Sequence, residues 1–326
     1  MLCYRIASFI LSLILSQSLF ASPVVIAHRG ASGYLPEHTL EAVTLAIAQG
    51  ADYIEQDLVL SKDLVPVVLH DIHLDRVTDV ALKYPERKRQ DGRFYTFDFT
   101  LAELKTLKVH ERTRENGSKV FANRYQGNAD FSIATFEDQI ELVTELNRQR
   151  AENIGFYPEI KAPAWHKSQG ADISKIVLDI LRKHHLDDAD KPVYIQCFDF
   201  SETQRLRNDL GAKVKLVQLI GENSWEISDT DYSYLQTPSG LSEIVKVAQG
   251  IGPSISHLID IESKQITDLS SKAKKAGLAI HPYTLRVDAL PKGFSNSTLL
   301  DMLFRQVKIE GLFTDFPDVV VGYLKQ

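Results

Sequence analysis

His28-Arg29-Gly30, Glu55-Gln56-Asp57 and His70-Asp71 each stand at or near the C-terminal end of a run of strand-forming residues: Val24 to Ala27, Ala51 to Leu58 and Val65 to Leu69. Successive strand side chains alternate faces, so Glu55 and Asp57 point the same way. Two carboxylates on one face repel, and a shared divalent cation relieves the repulsion. An all-oxygen donor set favours a hard ion, Ca2+ or Mg2+, over Zn2+. The alternative arrangement places one carboxylate inward on an arginine and the other at the rim. Tyr157-Pro-Glu-Ile-Lys161 repeats the spacing on another strand. Glu159 is the natural third carboxylate, and Lys161 adds positive charge where a phosphate oxygen would need it. An intrastrand Glu159–Lys161 ion pair is the plain alternative, disfavoured by the desolvation it would cost inside a barrel. Two histidines at strand ends near carboxylates suit acid–base catalysis, one taking a proton while the other gives one. Either could instead complete a metal site or sit satisfied in the core. Arg29 has the planar fork that clamps phosphate, and Gly30 permits a tight turn behind it.

Such a site needs a scaffold whose strands finish on one face, and a (β/α)8 TIM barrel provides it. Thr39 is a candidate N-cap for a helix over Leu40 to Gln49, with Gly50 as its stop, and Thr135 and Asp138 form a capping box opening a helix to Gln149. Further strands are expected over Ile154 to Ile160, Pro192 to Gln196, Val214 to Leu219, Ile251 to Ile255, Leu278 to Thr284 and Gly311 to Thr314. Helices are expected over Asp172 to His184, Ser201 to Leu210 (capped by Ser201), Lys264 to Ala276 and Ser297 to Lys308, with a polar loop from Gly221 to Leu241. The rhythm stops after Asp71. Residues of about 79–133 carry a basic patch (Arg87, Lys88, Arg89, Arg93) and clustered aromatics (Phe94, Tyr95, Phe97, Phe99), and read as an insertion standing over the strand ends. A solvated face with a small satellite core is the bland reading of the same residues.

The chain has 326 residues, 44% hydrophobic and 25% charged, with a net charge of −6. That suits a soluble globular protein, and the absence of a basic stripe argues against nucleic acid as a partner. Met1 to Arg5 followed by the apolar Ile6 to Phe20 and then Ala21 reads as a signal peptide over 1–21, leaving residues 22–326 as one domain in the periplasm or outside the cell. The apolar run is short for a membrane span, so no stable membrane insertion is expected after its removal. Cys197 then stands alone, excluding an internal disulfide, and reads as a small buried hydrophobe. Oligomeric state is not specified.

Taken in order, His28-Arg-Gly-Ala-Ser-Gly-Tyr-Leu-Pro-Glu-His-Thr39, Glu55-Gln-Asp57, His70-Asp71, Leu74-Asp-Arg-Val-Thr78, Pro158-Glu-Ile-Lys161, Gln196-Cys-Phe198 and Phe313-Thr-Asp-Phe-Pro317 resemble the glycerophosphodiester phosphodiesterase family, particularly its secreted periplasmic type. The resemblance implies a metal-dependent hydrolase acting on small glycerophosphodiesters. It implies Glu55, Asp57 and Glu159 as metal ligands, His28 and His70 as the acid/base pair, and Arg29 and Lys161 on the phosphate. Calcium is the usual ion of the secreted type, with magnesium the alternative. Glu37 is a site-shaping position; His38, where many members have Asn, receives no role. Gln196 and Tyr283 are secondary candidates, Tyr283 with Trp225 as pocket lining. The rival readings are a phospholipase D-like or other phosphodiesterase, for which an aromatic rim on the insertion would speak, and a secreted binding protein on an inactive barrel.

Overall fold

The computed structural model describes residues 22–326; the expected signal peptide, 1–21, lies outside them. The strands are β1 (Val24–Ala27), β2 (Tyr53–Leu60), β3 (Pro66–Val68), β4 (Gly155–Ile160), β5 (Tyr194–Cys197), β6 (Lys215–Ile220), β7 (Gly250–Pro253), β8 (Ala279–Ile280) and β9 (Gly311–Thr314). All but β3 are parallel neighbours in the order β8-β7-β6-β5-β4-β2-β1-β9. A parallel bridge from Leu285 to Thr314 brings the two ends of the row together, so the sheet rolls into the (β/α)8 barrel. Apolar side chains fill the layer between strands and helices. Ile26, Tyr157, Val217 and Phe313 plug the barrel interior.

β3, the strand before His70, departs from the expectation that it finishes on the same face as the other strands. It pairs antiparallel with β2, Leu58 opposite Val68. At eight residues β2 outruns its parallel partner; the chain turns at Ser61 and comes back, and the Leu69 N–H donates to the Asp57 carbonyl (2.9 Å). His70 therefore does not end a barrel strand. It is lowered to the level of Asp57 by a hairpin.

The helix Leu40–Ala48 is capped by Thr39, whose hydroxyl accepts from the Ala42 N–H, and Phe136–Arg150 opens with the Thr135/Asp138 capping box. Elsewhere local chemistry shifts the boundaries. Asp199, not Ser201, caps the helix Phe200–Asn208, because its carboxylate accepts from the Glu202 N–H. The stretch 221–241 is not all loop: Thr237 and Pro238 start a helix over Pro238–Ile244. The helix expected from Lys264 begins at Leu269, and β8 stops before Pro282, which has no N–H for the ladder.

Residues 70–134 hold only single turns of helix, but they have a core of their own. Phe94, Phe99, Leu104 and Leu107 bury against Val59, Val67 and Leu69 of the hairpin. Three of the four basic residues are ion-paired, Arg89 with Asp98 (2.6 Å), Arg93 with Asp75 (2.9 Å) and Arg87 with Glu103 (2.9 Å), and Lys88 lies over the Phe94 ring. With Phe94 and Phe99 buried, Phe97 packed on Trp165 and His166, and Tyr95 stacked on Trp165, the aromatics do not form an apolar rim. Among the described residues no helix is long and apolar enough to cross a membrane.

Candidate active site

A cavity of about 630 Å³ opens at the C-terminal ends of the strands. Parallel register builds its floor: Asp57 lies beside Glu159, and Glu159 beside Gln196, across β2, β4 and β5. His28, Arg29, Glu55, Asp57, His70, Glu159, Lys161, Gln196 and Tyr283 all line it. Glu37 lies behind the wall, its carboxylate on Arg29 (3.1 Å) and Arg112 (2.6 Å).

The turn after β1 is shaped by two left-handed residues, Arg29 (φ 61°) and Gly30 (φ 80°). A Cβ at Gly30 would lie 2.8 Å from the backbone of Ala42, so only glycine fits. Left-handed backbone at Arg29 is costly for a residue with a Cβ. Here it aims the Arg29 N–H at Glu55 Oε2 (2.7 Å), while Arg29 Nε lies 3.3 Å from Asp57.

Glu55 and Asp57 are 2% and 1% exposed. Burial, then the charge of Asp57, pushes the Glu55 carboxyl well above its ordinary range. Burial would raise Asp57 too, but Lys161, His70, His38 and Arg29 hold it well below. Glu159 is pushed up to about 8 by burial, against the pull of Lys161. The Lys161–Glu159 pair disfavoured on desolvation grounds is formed, at 2.6 Å, with Asp57 3.5 Å from the same ammonium. The reason is that Glu159 is not alone: in a buried carboxylate cluster the lysine offsets charge that water cannot.

Lysine and arginine do not satisfy the whole cluster. Asp57 Oδ1 is buried without a hydrogen-bond partner. His38, Glu55 and Asp57 bring ligand-capable atoms within 4.8 Å of one another. A buried oxygen-rich group with an unpartnered carboxylate oxygen fits a hard divalent cation. His38 Nε2 donates to Asp57 Oδ2 (2.8 Å) and so orients the carboxylate rather than offering that nitrogen to a cation, while Oδ1 is left with only the distant Lys161 ammonium (3.5 Å).

Both histidines are backed at Nδ1 by a carboxylate. His28 Nδ1 donates to Asp315 Oδ1 (2.6 Å) and His70 Nδ1 to Asp71 Oδ1 (2.8 Å). This leaves each Nε2 as the acceptor. Burial, then Arg29, lowers His28 to about 3; burial, then Arg29 and Lys161, lowers His70 to about 4. Gln196 Nε2 reaches Glu55 (3.4 Å), and the Tyr283 hydroxyl donates to the Ile220 carbonyl (2.8 Å), leaving its ring as wall. Trp225, about half exposed, stands at the mouth beside Phe198. Cys197 lies buried in the wall with its thiol pushed up by burial.

The residues that sequence reasoning passed over are His38, Asp71, Asp315, Arg112, Arg124 and Arg286. Asp71 and Asp315 stood inside quoted motifs; the arginines carried no local signal.

The model of the glycerophosphoryl diester phosphodiesterase family matches residues 28–319. A glycerophosphodiester phosphodiesterase of Haemophilus influenzae is 42% identical, over 93% of this chain and 90% of the relative; one from Treponema pallidum is 35% identical, over 92% and 91%. Among solved structures, a putative family member from Silicibacter pomeroyi aligns with TM-score 0.70 at 20% identity, covering 93% of each chain. A phosphodiesterase of Oleispira antarctica, solved with the product sn-glycerol-3-phosphate, aligns with TM-score 0.64 at 20% identity, covering 94% of this chain and 98% of its own. The chain belongs to the glycerophosphoryl diester phosphodiesterase family.

Proposed function

We propose that this member hydrolyses glycerophosphodiesters, glycerophosphocholine and glycerophosphoethanolamine among them, to sn-glycerol 3-phosphate and the head-group alcohol. The observation that carries the reading is the convergence, in one cavity, of two carboxylate-backed imidazoles with Glu55, Asp57, Glu159, Arg29 and Lys161. The names of the Haemophilus and Treponema relatives and the product held by the Oleispira structure support the substrate class.

His28 and His70 act as the proton-transfer pair. One Nε2 takes the proton of the glycerol hydroxyl next to the phosphate as that oxygen bonds to phosphorus. The other histidine protonates the head-group oxygen as its bond to phosphorus breaks. Water then opens the cyclic phosphate with the roles reversed, and each proton-transfer group contributes about 10²–10⁴-fold. Arg29 and Lys161 hold the phosphoryl oxygens. A phosphodiester anion beside Arg29 offsets a cation that, after burial, depresses both histidines, and so favours protonation of the one that acts as acid. Glu55, Asp57 and Glu159 would hold a divalent cation, with His38 orienting Asp57; the ion would supply electrostatic stabilisation of the phosphoryl charge. We read calcium as that ion, with magnesium the alternative.

The chain is further read as the secreted periplasmic type, with 1–21 removed as a signal and 22–326 acting as one domain. N-terminal mass spectrometry of the exported protein tests this; an intact Met1 would overturn it. The activity is tested by glycerol 3-phosphate release from glycerophosphocholine with calcium, with magnesium and with a chelator. Chelator-sensitive release restored by calcium is expected. No release with any divalent ion would overturn the substrate class.

A further inference from the structure

Each candidate catalytic histidine is the first member of a three-residue chain, and both chains end on an arginine of the irregular segment between β3 and the helix Phe136–Arg150. Asp315 gives Oδ1 to His28 and Oδ2 to Arg124 Nη2 (2.6 Å), with Arg286 Nε adding a second donor to Oδ2 (3.0 Å). Asp71 gives Oδ1 to His70 and Oδ2 to Arg112 Nη1 (2.6 Å). In both, the carboxylate splits its two oxygens between an imidazole and a guanidinium. A carboxylate pinned on one side cannot rotate to release the ring on the other.

The arginines are themselves fixed. Arg124 is 4% exposed in its side chain and lies over the Phe121 ring, its guanidinium carbon 3.5 Å from the centroid. Its fork also engages both oxygens of Asp288 and the carbonyl of Ser32, at 2.9–3.2 Å. Arg112 grips Glu37 with Nε (2.9 Å) and Nη2 (2.6 Å), and Glu37 in turn holds Arg29 (3.1 Å). The segment is anchored to the barrel at the groups that need orienting.

We propose that this segment is a positioning device for the acid/base pair: Arg124, through Asp315, fixes the ring plane and Nδ1–H tautomer of His28, and Arg112, through Asp71, fixes those of His70. Arg112, Arg124, Asp71 and Asp315 are positioning residues, and within the two chains the histidines are the members that act on the substrate. The inference rests on the proposed assignment of His28 and His70 as the proton-transfer pair. Lysine would not substitute for either arginine, because one ammonium cannot present a planar fork to two carboxylates.

The test substitutes Arg112→Gln and Arg124→Gln in the metal-loaded enzyme and reads two quantities. The first is steady-state turnover of glycerophosphocholine. Misplacing a proton-transfer group by about 1 Å costs on the order of 10²-fold, so kcat is expected to fall about 10–100-fold with KM held within about threefold. The second is the imidazole tautomer, read by long-range proton–nitrogen correlation on 15N-histidine protein, with His28→Ala and His70→Ala assigning the signals. Arg112→Gln is expected to shift His70 out of the Nδ1–H tautomer and leave His28 alone; Arg124→Gln is expected to do the reverse. Unchanged tautomers together with unchanged kcat, in folded variants, would reduce both arginines to anchors of the segment and overturn the inference. Should either variant not fold, Asp71→Asn, at a quarter-exposed position, carries the same expectation for His70 alone. If the wild-type enzyme hydrolyses no glycerophosphodiester, the functional reading fails while the tautomer readout still decides the positioning.

Discussion

Around the cavity, the ends of β1, β2 and β4 and the segment 70–134 solve the same problem in different ways. Along the strands, reacting groups stand on backbone locked by parallel pairing, and the side-chain direction follows from register: Asp57 beside Glu159, Glu159 beside Gln196. The segment has almost no regular backbone pairing. It is held by a small apolar core around Phe94 and Phe99 and by ion pairs such as Arg89–Asp98 and Arg93–Asp75. The strand ends carry both the buried carboxylates and, in Arg29 and Lys161, the cations that offset them; the segment brings Arg112 and Arg124 to the carboxylates behind the two histidines. Apart from His70 at the head of the segment and Asp315 just after β9, the candidate reacting groups and the arginines proposed to orient them thus come from different parts of the chain.

The largest expected effect removes one histidine from each side, His28 after β1 and His70 at the head of the segment. His28→Ala and His70→Ala should each lower kcat by about 10²–10⁴-fold while metal binding, followed by calorimetry, persists. Turnover at the wild-type level in either variant would remove that histidine from the chemistry. On the segment side, Phe99→Ala empties a fully buried site and should cost about 3–5 kcal/mol. Activity is expected to be lost on heating before the far-UV circular dichroism of the barrel changes; coincident loss would mean that segment and barrel unfold as one unit.

Next comes the cation. At about 100 times its dissociation constant, calcium should stabilise the wild type by about 2.7 kcal/mol through mass action, and Glu55→Gln should lose most of that increment. A metal-induced rise in Tm that survives Glu55→Gln would take Glu55 out of the ligand set.

A smaller effect lies at the junction of the two regions. His166 is buried beneath Phe97; its Nε2 accepts the Leu60 N–H (3.2 Å), its Nδ1 faces the Ala162 carbonyl (3.0 Å), and burial lowers it to about 4. Its folded pKa lies below the ordinary histidine value of 6.5, so between those values the unfolded chain binds a proton that the folded chain refuses. Its contribution to stability is full above about pH 6.5 and falls as pH drops toward 4. The stability advantage of wild type over His166→Gln should therefore shrink by up to about 2 kcal/mol from pH 6.5 to 5, read from denaturant midpoints. A difference that stays constant with pH would contradict the assignment. At the bottom of the scale, Lys108→Ala breaks an exposed pair with Asp130 and should leave Tm and kcat unchanged; a clear loss of activity would show that the outer face of the segment matters too.

Much of the strand side was legible before any coordinates. The two-residue spacing of Glu55 and Asp57 and of Glu159 and Lys161, the turn at Gly30, and the caps at Thr39 and Thr135 are consequences of local geometry, and local geometry is written in neighbouring residues. The boundaries that moved did so for equally local reasons weighed wrongly, as when Asp199 rather than Ser201 capped its helix.

What the sequence alone determined is therefore the barrel and the gathering of Glu55, Asp57, Glu159 and Lys161 at its strand ends, because periodicity and spacing express backbone constraints directly. Only the tertiary structure decided that β3 returns antiparallel to lower His70 beside Asp57, that His38 orients Asp57, and that Arg112 and Arg124 reach Asp71 and Asp315 across 41 and 191 residues. Such ion pairs impose no period on the chain between their ends; they exist because a buried carboxylate must find a partner, and folding alone settles which one is near.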